Sequence, residues 1–445
     1  MRGSVLIKGG HLLTQDPTLG ELRGDVLIRD GEIVSVARSI ASTPGVETID
    51  AGGCAVLPGF VDTHRHTWQT ALRGMAAGDT LEGYQRKIQG RFGALFAPED
   101  VYAGTLLGAV AAGQCGVTTL CDESHVQNSP AHTDAALAAL RASGIRAVFD
   151  YGWPSIDAPS WMQNSRKTHP TYVRELQKSP TWNDYPLVTL QMMLRGPLMC
   201  PIDVVRHDVA FARELGLRSV MHVIGGSIAA LDEAGLLGSD MTFIHCCDSS
   251  EAELKMVKAA GAFISSSPNL ELNMLGLGAP PIRRFLAAGI RPSLSVDVET
   301  SVSGDMFSVM RAALMSQTAE DLYVGDGPAL PRFTPRDVIA FATIEGARAC
   351  GLDDRVGTLT PGKRGDVILI DMREVNLAPV EDEYVPDVIV SSAHPGNVRT
   401  VIVDGTVIRR DGCALDASLM ERGRTLAQQS RQRLRSETCE EETFA

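Results

Sequence analysis

The segment FVDTHRHTWQ, residues 60–69, decides how the rest of the chain is interpreted. It starts with the apolar residues Phe60 and Val61 and leads to His64 and His66, which are two positions apart. Side chains at positions i and i+2 of a β-strand point to the same face. Both imidazoles are therefore predicted to face one side at the end of a single strand.

After this segment, short apolar runs alternate with helical patterns along most of the chain. Examples of the apolar runs are GVTTLCD, residues 116–122, and MTFIHCC, residues 241–247. This alternation predicts an α/β fold, and the length of the region suits a (β/α)8 TIM-like barrel. A doubly wound open sheet is the alternative. It is less favoured because no glycine-rich phosphate-binding pattern follows the first strand.

Both ends of the chain carry a different pattern, in which short strands are joined by tight turns. The pair Asp30-Gly31 and the pair Asp404-Gly405 each separate two apolar runs, as in a β-hairpin. The two ends together are predicted to build one small β-sandwich domain. The predicted divisions are the N-terminal portion of the sandwich at 1–57, the barrel at 58–358, the C-terminal portion of the sandwich at 359–415, and a C-terminal helix with an acidic tail at 416–445.

Composition excludes several classes of partner. The chain has 445 residues, 41 basic against 54 acidic side chains and a net charge of -13, which disfavours nucleic acid as a partner. Its nine cysteines show no paired C-x-x-C spacing, so we expect a reducing, cytoplasmic location. No segment has the roughly 18 consecutive apolar residues that span a bilayer, and no membrane partner is expected. A small molecule is the expected ligand.

Four histidines and one aspartate stand at the ends of predicted barrel strands: His64, His66, His222, His245 and Asp297. The carboxyl ends of the strands of such a barrel meet at one face, where the active sites of this fold lie. Imidazoles combined with a carboxylate suit a divalent transition metal with one open coordination position. One strand-end histidine alone would be interpreted as a satisfied buried residue, but the ordered set favours a metal site.

Several segments carry a resemblance to a known family. LPGFVDTHRH at 57–66, FIHCCD at 243–248, SLSVD at 293–297 and GLDDRVGTLTPGKRGDVILID at 351–371 resemble the amidohydrolase superfamily, in its branch of cytosine and guanine deaminases and triazine hydrolases. The resemblance covers almost the whole chain. It implies one divalent metal, Zn²⁺ or alternatively Fe²⁺, and a homodimer or homotetramer. The ligands that it implies are His64, His66, His222 and Asp297.

The fourth predicted strand, in PLVTLQMM at 186–193, has no lysine. Binuclear members of the family use a lysine there to bridge two metals, so the resemblance implies a mononuclear site. A metal lowers the pKa of bound water from about 15.7 toward 7. Asp297 would then act as ligand and general base, and His245 would position the water or stabilise the tetrahedral intermediate. The expected reaction is hydrolysis at an sp² carbon of a small nitrogen-containing ring, of the C–N hydrolysing type.

One position departs from the family pattern. Deaminases of this branch resemble one another in having a glutamate three residues after the strand-five histidine, where this chain has Gly225. The glycine argues against ordinary nucleobase deamination, unless another acid replaces the glutamate. The candidates are Glu123, His125, Glu271 and Glu299. The alternatives are a hydrolytic dehalogenase acting on a similar ring, a lyase or isomerase variant, and an inactive metal-binding homologue.

Further substrate contacts are predicted from position in the chain. Trp68 and Gln69 follow the histidine pair, where a ring could be stacked and hydrogen-bonded, and Arg195 follows the fourth strand. Core packing is the alternative for Trp68 and a structural salt bridge the alternative for Arg195. The long insertions at residues 78–100 and 150–172 are predicted to cover the pocket. Two aromatic residues of the second insertion, Trp153 and Trp161, are predicted to line it.

Overall fold

A parallel eight-stranded barrel forms the centre of the computed structural model, which describes residues 3–323 and 330–443. The barrel closes where the backbone N–H of His66 donates to the carbonyl of Asp297 (3.0 Å) and the N–H of Asp297 donates to the carbonyl of His64 (2.9 Å). The predicted α/β barrel is thus confirmed. Its strands are Phe60–Arg65, Val117–Ser124, Arg146–Tyr151, Val188–Leu194, Ser219–Val223, Met241–His245, Phe263–Ser266 and Ser293–Leu294.

The two ends of the chain meet in one mixed sheet, as the turn patterns predict. Strand Cys54–Pro58 pairs antiparallel with strand Val367–Asp371, so the N-terminal and C-terminal strands share one continuous hydrogen-bonded sheet with its own hydrophobic core. The exact domain boundaries stay a prediction. The strands of this sheet are Val5–Leu13, Glu21–Arg29, Glu32–Ala37, Glu47–Asp50, Cys54–Pro58, Val367–Asp371, Val398–Val403, Thr406–Arg410 and Cys413–Ala414.

The α-helices lie between and after the barrel strands, and none of those described has an apolar stretch long enough to cross a bilayer. A π-helix covers Gln85–Phe92, and 3-10 helices cover Thr67–Leu72, Pro180–Asp184, Asp382–Tyr384 and Pro395–Asn397. The α-helices are Leu81–Tyr84, Gly93–Leu95, Pro98–Gln114, Pro130–Ser143, Ala158–Met162, Tyr172–Lys178, Ile202–Glu214, Ser227–Glu233, Glu251–Ala260, Pro268–Asn273, Ile282–Ala287, Met306–Tyr323, Pro335–Phe341, Ile344–Ala349, Val385–Ser392 and Ala417–Thr443.

The last helix extends through most of the predicted acidic tail. Its backbone is helical to Thr443, and the final two residues, 444–445, lie outside the described residues of the chain. Arg433 fixes the helix to the barrel domain by pairing with Asp100, at the start of helix Pro98–Gln114, and by donating to the carbonyl of Leu95 (3.0 Å). The predicted tail is therefore helical and tethered over the residues that the structure describes.

A buried ion cluster joins the barrel to the terminal sheet. Arg146 starts the third barrel strand, and its guanidinium donates to both carboxylate oxygens of Asp366 (2.8 and 3.1 Å) and to Asp404 (3.0 Å). The backbone N–H of Asp404 in turn donates to Asp366. We refer to Arg146, Asp366 and Asp404 as the interdomain ion cluster. It lies at the N-terminal ends of the strands, opposite the face where the predicted site residues lie.

Candidate functional site

The strand-end residues singled out from the sequence come together at the C-terminal end of the barrel. Asp297 is central to the group: its Oδ1 lies 3.2 Å from His64 Nε2 and 3.5 Å from His66 Nε2, and its Oδ2 lies 3.3 Å from His245 Nε2. The ring of His222 lies 4.9 Å from that of His64, measured between centroids. The alternation of side chains along parallel strands brings these five residues to one place.

Glu123 is a sixth member of this group. It lies in the second barrel strand and is completely buried. Its Oε2 lies 2.8 Å from His64 Nδ1, 3.6 Å from His66 Nε2 and 3.7 Å from His222 Nε2. His64 is therefore flanked by two carboxylates, Glu123 and Asp297. We call these six residues, His64, His66, Glu123, His222, His245 and Asp297, the histidine–carboxylate cluster.

The charges of the cluster depend on one another. Burial alone would raise the pKa of Glu123, but the charge of His64, followed by that of His222, lowers it to about 2. Burial would likewise raise the pKa of Asp297, and His64 again lowers it far below its usual range. The pKa of His222 falls to about 4, mainly because the ring is buried. Both carboxylates are thus ionised at neutral pH, and His222 is neutral, which is the form that binds metals.

The donor atoms fit a divalent metal. Both ring nitrogens of His64 and both carboxylate oxygens of Glu123 are buried and have no aligned hydrogen-bond partner among the described residues. Orphaned polar atoms of this kind are costly unless a ligand satisfies them. Potential ligand atoms of His64, His66, Glu123 and His222 lie within 4.8 Å of one another, and so do those of His64, His245 and Asp297. Imidazole and carboxylate donors at this spacing suit zinc.

The backbone at the site has unusual φ angles, and Glu271 fixes the ring of His245. His245, Cys246 and Asp297 all have positive φ angles, of 68°, 54° and 70°, which are uncommon for residues other than glycine. Glu271 lies 3.0 Å from His245 Nδ1. Its carboxylate also accepts hydrogen bonds from the hydroxyl of Ser266 (2.8 Å) and the backbone N–H of Ser267 (2.8 Å). Glu271 therefore orients His245 and does not face the cavity.

Gly225 lies beside the carboxylate of Asp248. The Gly225 N–H donates to Asp248 Oδ2 (2.9 Å), and a Cβ added to Gly225 would come 3.0 Å from the same oxygen. Asp248 is exposed and does not line the cavity described below. The preceding residue, Ile224, does line it. The apolar side chain of Ile224 therefore follows the end of the fifth strand at the cavity wall, and the next position, where the family pattern has an acid, is Gly225.

A cavity of about 610 Å³ opens at the cluster. The two long insertions contribute to its wall, as their positions predict: the first through Tyr84 and Gln89, the second through Trp153. The lining residues are His66, Leu81, Tyr84, Gln85, Gln89, His125, Trp153, Met162, Met193, Met199, His222, Val223, Ile224, His245, Leu270, Met274, Leu277 and Asp297.

Two of the predicted substrate contacts lie in the core instead. Trp68 is fully buried and packs edge-on against Phe96, with 4.8 Å between the ring centroids, which is the core-packing alternative. Gln69 donates from Nε2 to the hydroxyl of Tyr84 (2.7 Å), so it supports a lining residue without reaching the cavity. Both residues lie in the 3-10 helix Thr67–Leu72, which turns their side chains away from the cavity.

Arg195 and Glu299 are held in buried ion pairs and do not line the cavity. The guanidinium of Arg195 pairs with Asp208 (3.0 Å) and stacks on Trp161, which is also absent from the cavity wall. Glu299 pairs with Arg65 (2.6 Å) and with Arg73. Arg195 therefore forms a structural salt bridge, which is the alternative to a substrate contact. Both carboxylate oxygens of Glu299 are engaged by arginines, so Glu299 has none left to act as an acid.

His125 lines the cavity, as does Trp153, with which it stacks at 6.0 Å between centroids. Burial lowers the pKa of His125 to about 4, so its ring is neutral at pH 7. The sequence interpretation missed Tyr84, Gln85 and Gln89 as lining residues. The spacing of Gln85 and Gln89, four residues apart within a predicted covering insertion, is the signal that could have revealed them.

The chain is similar in sequence to a known family and to characterised enzymes. The model of the amidohydrolase family matches residues 55–408. A 5'-deoxyadenosine deaminase of Methanosarcina mazei is 29% identical over 426 residues, which cover 92% of this chain and 93% of that relative. A 5-methylthioadenosine/S-adenosylhomocysteine deaminase of Desulforudis audaxviator is 31% identical over 430 residues, which cover 91% of this chain and 93% of that relative.

Solved structures share the fold at lower identity. An adenosine deaminase from Xanthomonas campestris, solved with bound zinc, superposes with a TM-score of 0.82 at 22% identity and covers 97% of this chain and 98% of its own. An atrazine chlorohydrolase from Arthrobacter aurescens, solved with zinc, superposes with a TM-score of 0.83 at 19% identity and covers 95% of this chain and 100% of its own. At these identities the likeness concerns the fold.

Proposed function

The chain belongs to the amidohydrolase family, and from that premise we propose that it is a metal-dependent hydrolase that attacks an sp² carbon of a small nitrogen-containing ring and releases ammonia or an amine. The histidine–carboxylate cluster is the observation that carries the proposal. It combines four imidazoles and two ionised carboxylates beside a cavity. The deaminase names of the full-length relatives support the same bond type.

We propose that His64, His66, His222 and Asp297 hold one divalent metal, with zinc the first choice and iron the alternative. Glu123 lies close enough to His66 and His222 to complete the ligand set. A metal bound there supplies Lewis-acid activation of water at neutral pH. The expected homodimer or homotetramer and the cytoplasmic location stay predictions.

Each proton transfer is then assigned to a particular side chain. Asp297 Oδ2 is ionised and faces His245 Nε2, so Asp297 takes a proton from the attacking water. Glu271 holds the ring proton of His245 on Nδ1, so Nε2 can accept a proton, and the imidazolium formed in this way donates a hydrogen bond to the oxyanion that develops on the substrate. Among the acids proposed to replace the missing glutamate, Glu271 and Glu299 are engaged elsewhere. Glu123 and His125 are the two that remain to relay to the leaving group the proton that Asp297 takes from the water, since Glu123 is ionised and His125 is neutral at pH 7 and neither holds that proton beforehand.

A second candidate function is hydrolytic removal of halide from a similar ring. The observation that favours it is the apolar end of the fifth strand, where Ile224 lines the cavity and Gly225 brings no acid. A halide leaves as a stable anion and needs no proton. Halide release would therefore tolerate the replacement of the glutamate by Gly225 better than amine release does.

The experiment compares ammonia and chloride release by zinc-loaded protein across amino-substituted and chloro-substituted azines and adenosine nucleosides. We expect ammonia release that is lost in the Asp297→Asn variant and after chelation. Elemental analysis is expected to find one metal per chain, and two would contradict the mononuclear assignment. Chloride release in place of ammonia would select the second function, and neither product from a metal-loaded protein would refute both.

A further inference from the structure

Away from the histidine–carboxylate cluster, the wall of the cavity is almost free of charge. Within residues 3–323 and 330–443, no lysine or arginine lines the cavity, and Asp297 is the only carboxylate that does. Much of the wall is methionine and Trp153, which favour flat, polarisable, apolar groups. An ionised group of a ligand would lose its water there without meeting a counter-charge. The methionines are Met162, Met193, Met199 and Met274.

The polar groups of the remaining wall come mainly from the π-helix Gln85–Phe92, a geometry that is often found at functional sites. Gln89 Nε2 lies 3.5 Å from the Tyr84 hydroxyl, which also contacts Gln69. Gln89 Oε1 is buried and has no hydrogen-bond partner among the described residues. A buried amide oxygen without a donor is costly, so the site is built for a ligand that brings an N–H.

The two insertions are in close contact at the end of this segment, outside the wall of the cavity. A Cβ on Gly93 would come 2.7 Å from Ser155 Oγ and 2.8 Å from Ser155 Cβ. The Ser155 hydroxyl is fixed by donating to the carbonyl of His125 (2.7 Å). Proteins commonly bind the hydroxyls of a ribose with a carboxylate. The described wall offers none beyond Asp297, which the cluster already engages.

We propose that the substrate is an uncharged, apolar nitrogen heterocycle, and that Gln89 is a specificity-determining residue that accepts a hydrogen bond from an N–H of the ring or its substituent. Nucleosides with an ionised 5' substituent, such as S-adenosylhomocysteine, are excluded because the wall has no counter-charge for the amino acid group. This inference rests on the proposed function, since it names the substrate class of the same site.

Two readouts separate this inference from the proposed function. Zinc-loaded protein is tested with an alkylamino-substituted amino-1,3,5-triazine and with S-adenosylhomocysteine, for ammonia release and for a ligand-induced rise in Tm. We expect kcat/KM for the triazine to exceed that for the nucleoside at least a hundredfold. Equal or better turnover of S-adenosylhomocysteine overturns the inference and leaves the proposed function intact. A Tm rise with the triazine alone, but no ammonia, supports the inference and contradicts the proposed function.

The role of Gln89 is tested with a second probe, the same triazine with its alkylamino N–H methylated and its NH2 leaving group kept. Loss of one hydrogen bond predicts that Gln89→Leu raises KM about three- to tenfold for the N–H probe, and not for the methylated probe. Arg86→Ala is the matched control, because Arg86 lies in the same π-helix, is exposed and does not line the cavity. It should change neither KM. An equal rise in KM for both probes in Gln89→Leu would refute the assignment.

Discussion

Two buried groups of charges lie at opposite ends of one barrel, and they differ in how well they are satisfied. In the interdomain ion cluster, Arg146 is fully engaged by Asp366 and Asp404 at hydrogen-bond distances of 2.8–3.1 Å. In the histidine–carboxylate cluster, the nitrogens of His64 and the oxygens of Glu123 are equally buried, but they have no aligned partner among the described residues. The first cluster is complete without a ligand, and the second is not.

This difference separates a structural use of buried charge from a functional one. Burying an ion is costly, and the cost is compensated only when its hydrogen-bonding capacity is used by fixed partners. The interdomain ion cluster meets that condition with groups from two domains, so it holds those domains together. In the histidine–carboxylate cluster the buried hydrogen-bonding groups lack such fixed partners, and we propose that a metal and a substrate supply them. Stability and activity should therefore respond to substitutions at opposite ends of the barrel.

The largest effect is expected for Asp297→Asn. Loss of a general base typically lowers the rate about 10²- to 10⁴-fold, and we expect kcat to fall within that range. The amide keeps the size of the carboxylate, so the Tm of the metal-free protein should change little. Steady-state kinetics and thermal unfolding measure the two quantities. A large fall in Tm with full activity per folded molecule would reverse the assignment of the two clusters.

The opposite pattern is expected for Asp366→Ala. Removing one partner from a buried ion pair costs about 3–5 kcal/mol, because Arg146 would keep its charge without its main acceptor. Urea unfolding should show this loss, while kcat of the folded fraction stays the same. Arg174→Ala is the control, since Arg174 pairs with Glu214 at the surface and its removal should leave unfolding unchanged. Similar loss in both variants would mean that the interdomain ion cluster has no special role.

Zinc should stabilise the protein through the histidine–carboxylate cluster alone. At a free concentration of about 100 times Kd, a ligand that binds only the folded state adds about 2.7 kcal/mol to the free energy of unfolding. The same increment is expected in wild type and in Asp366→Ala. It should be much smaller in His66→Ala. An increment that survives His66→Ala would place the metal elsewhere.

The smallest effect is a pH dependence from His125. Its pKa is about 4 in the folded protein, against the ordinary value of 6.5, because the ring is buried. The unfolded chain therefore binds the proton first as pH falls, and stability is lost as the pH falls from about 6.5 to about 4. From about pH 7 to about pH 6 this loss is below about 1 kcal/mol. In metal-free protein, His125→Asn should flatten the profile, whereas substitution of the exposed His207 should not.

The barrel and the residues of its proposed metal site could be predicted from the sequence because both follow regular periods. Strand alternation places His64 and His66 on one face, and the parallel order of strands brings His222, His245 and Asp297 to the same end. Those rules become unreliable beyond the last residue of a strand, although His66 and Asp297, which follow strands Phe60–Arg65 and Ser293–Leu294, still meet in the cluster. Arg195 comes just after strand Val188–Leu194 ends, so alternation no longer fixes its direction, and Asp208 on the following helix pairs with it.

The wall of the cavity could not be predicted in the same way. The four-residue spacing of Gln85 and Gln89 indicates a shared helix face, but it does not show which face of the π-helix is turned to the cavity. Trp153 lies on an irregular connection, where no period fixes the direction of its side chain. The 3-10 helix Thr67–Leu72 makes the prediction for Trp68 and Gln69 wrong, because residues next to the histidine pair in sequence turn into the core. The pairing of Glu271 with His245 also depends on tertiary contacts that sequence spacing does not express.

The two backbone hydrogen bonds that close the barrel involve His64, His66 and Asp297 themselves. The last step of ring closure and the assembly of the site are thus one event. Because His64 and Asp297 are far apart along the chain, a growing polypeptide on the ribosome carries the histidine pair long before its partner exists. Until the eighth strand has emerged, the nascent chain lacks Asp297 and cannot form the complete histidine–carboxylate cluster.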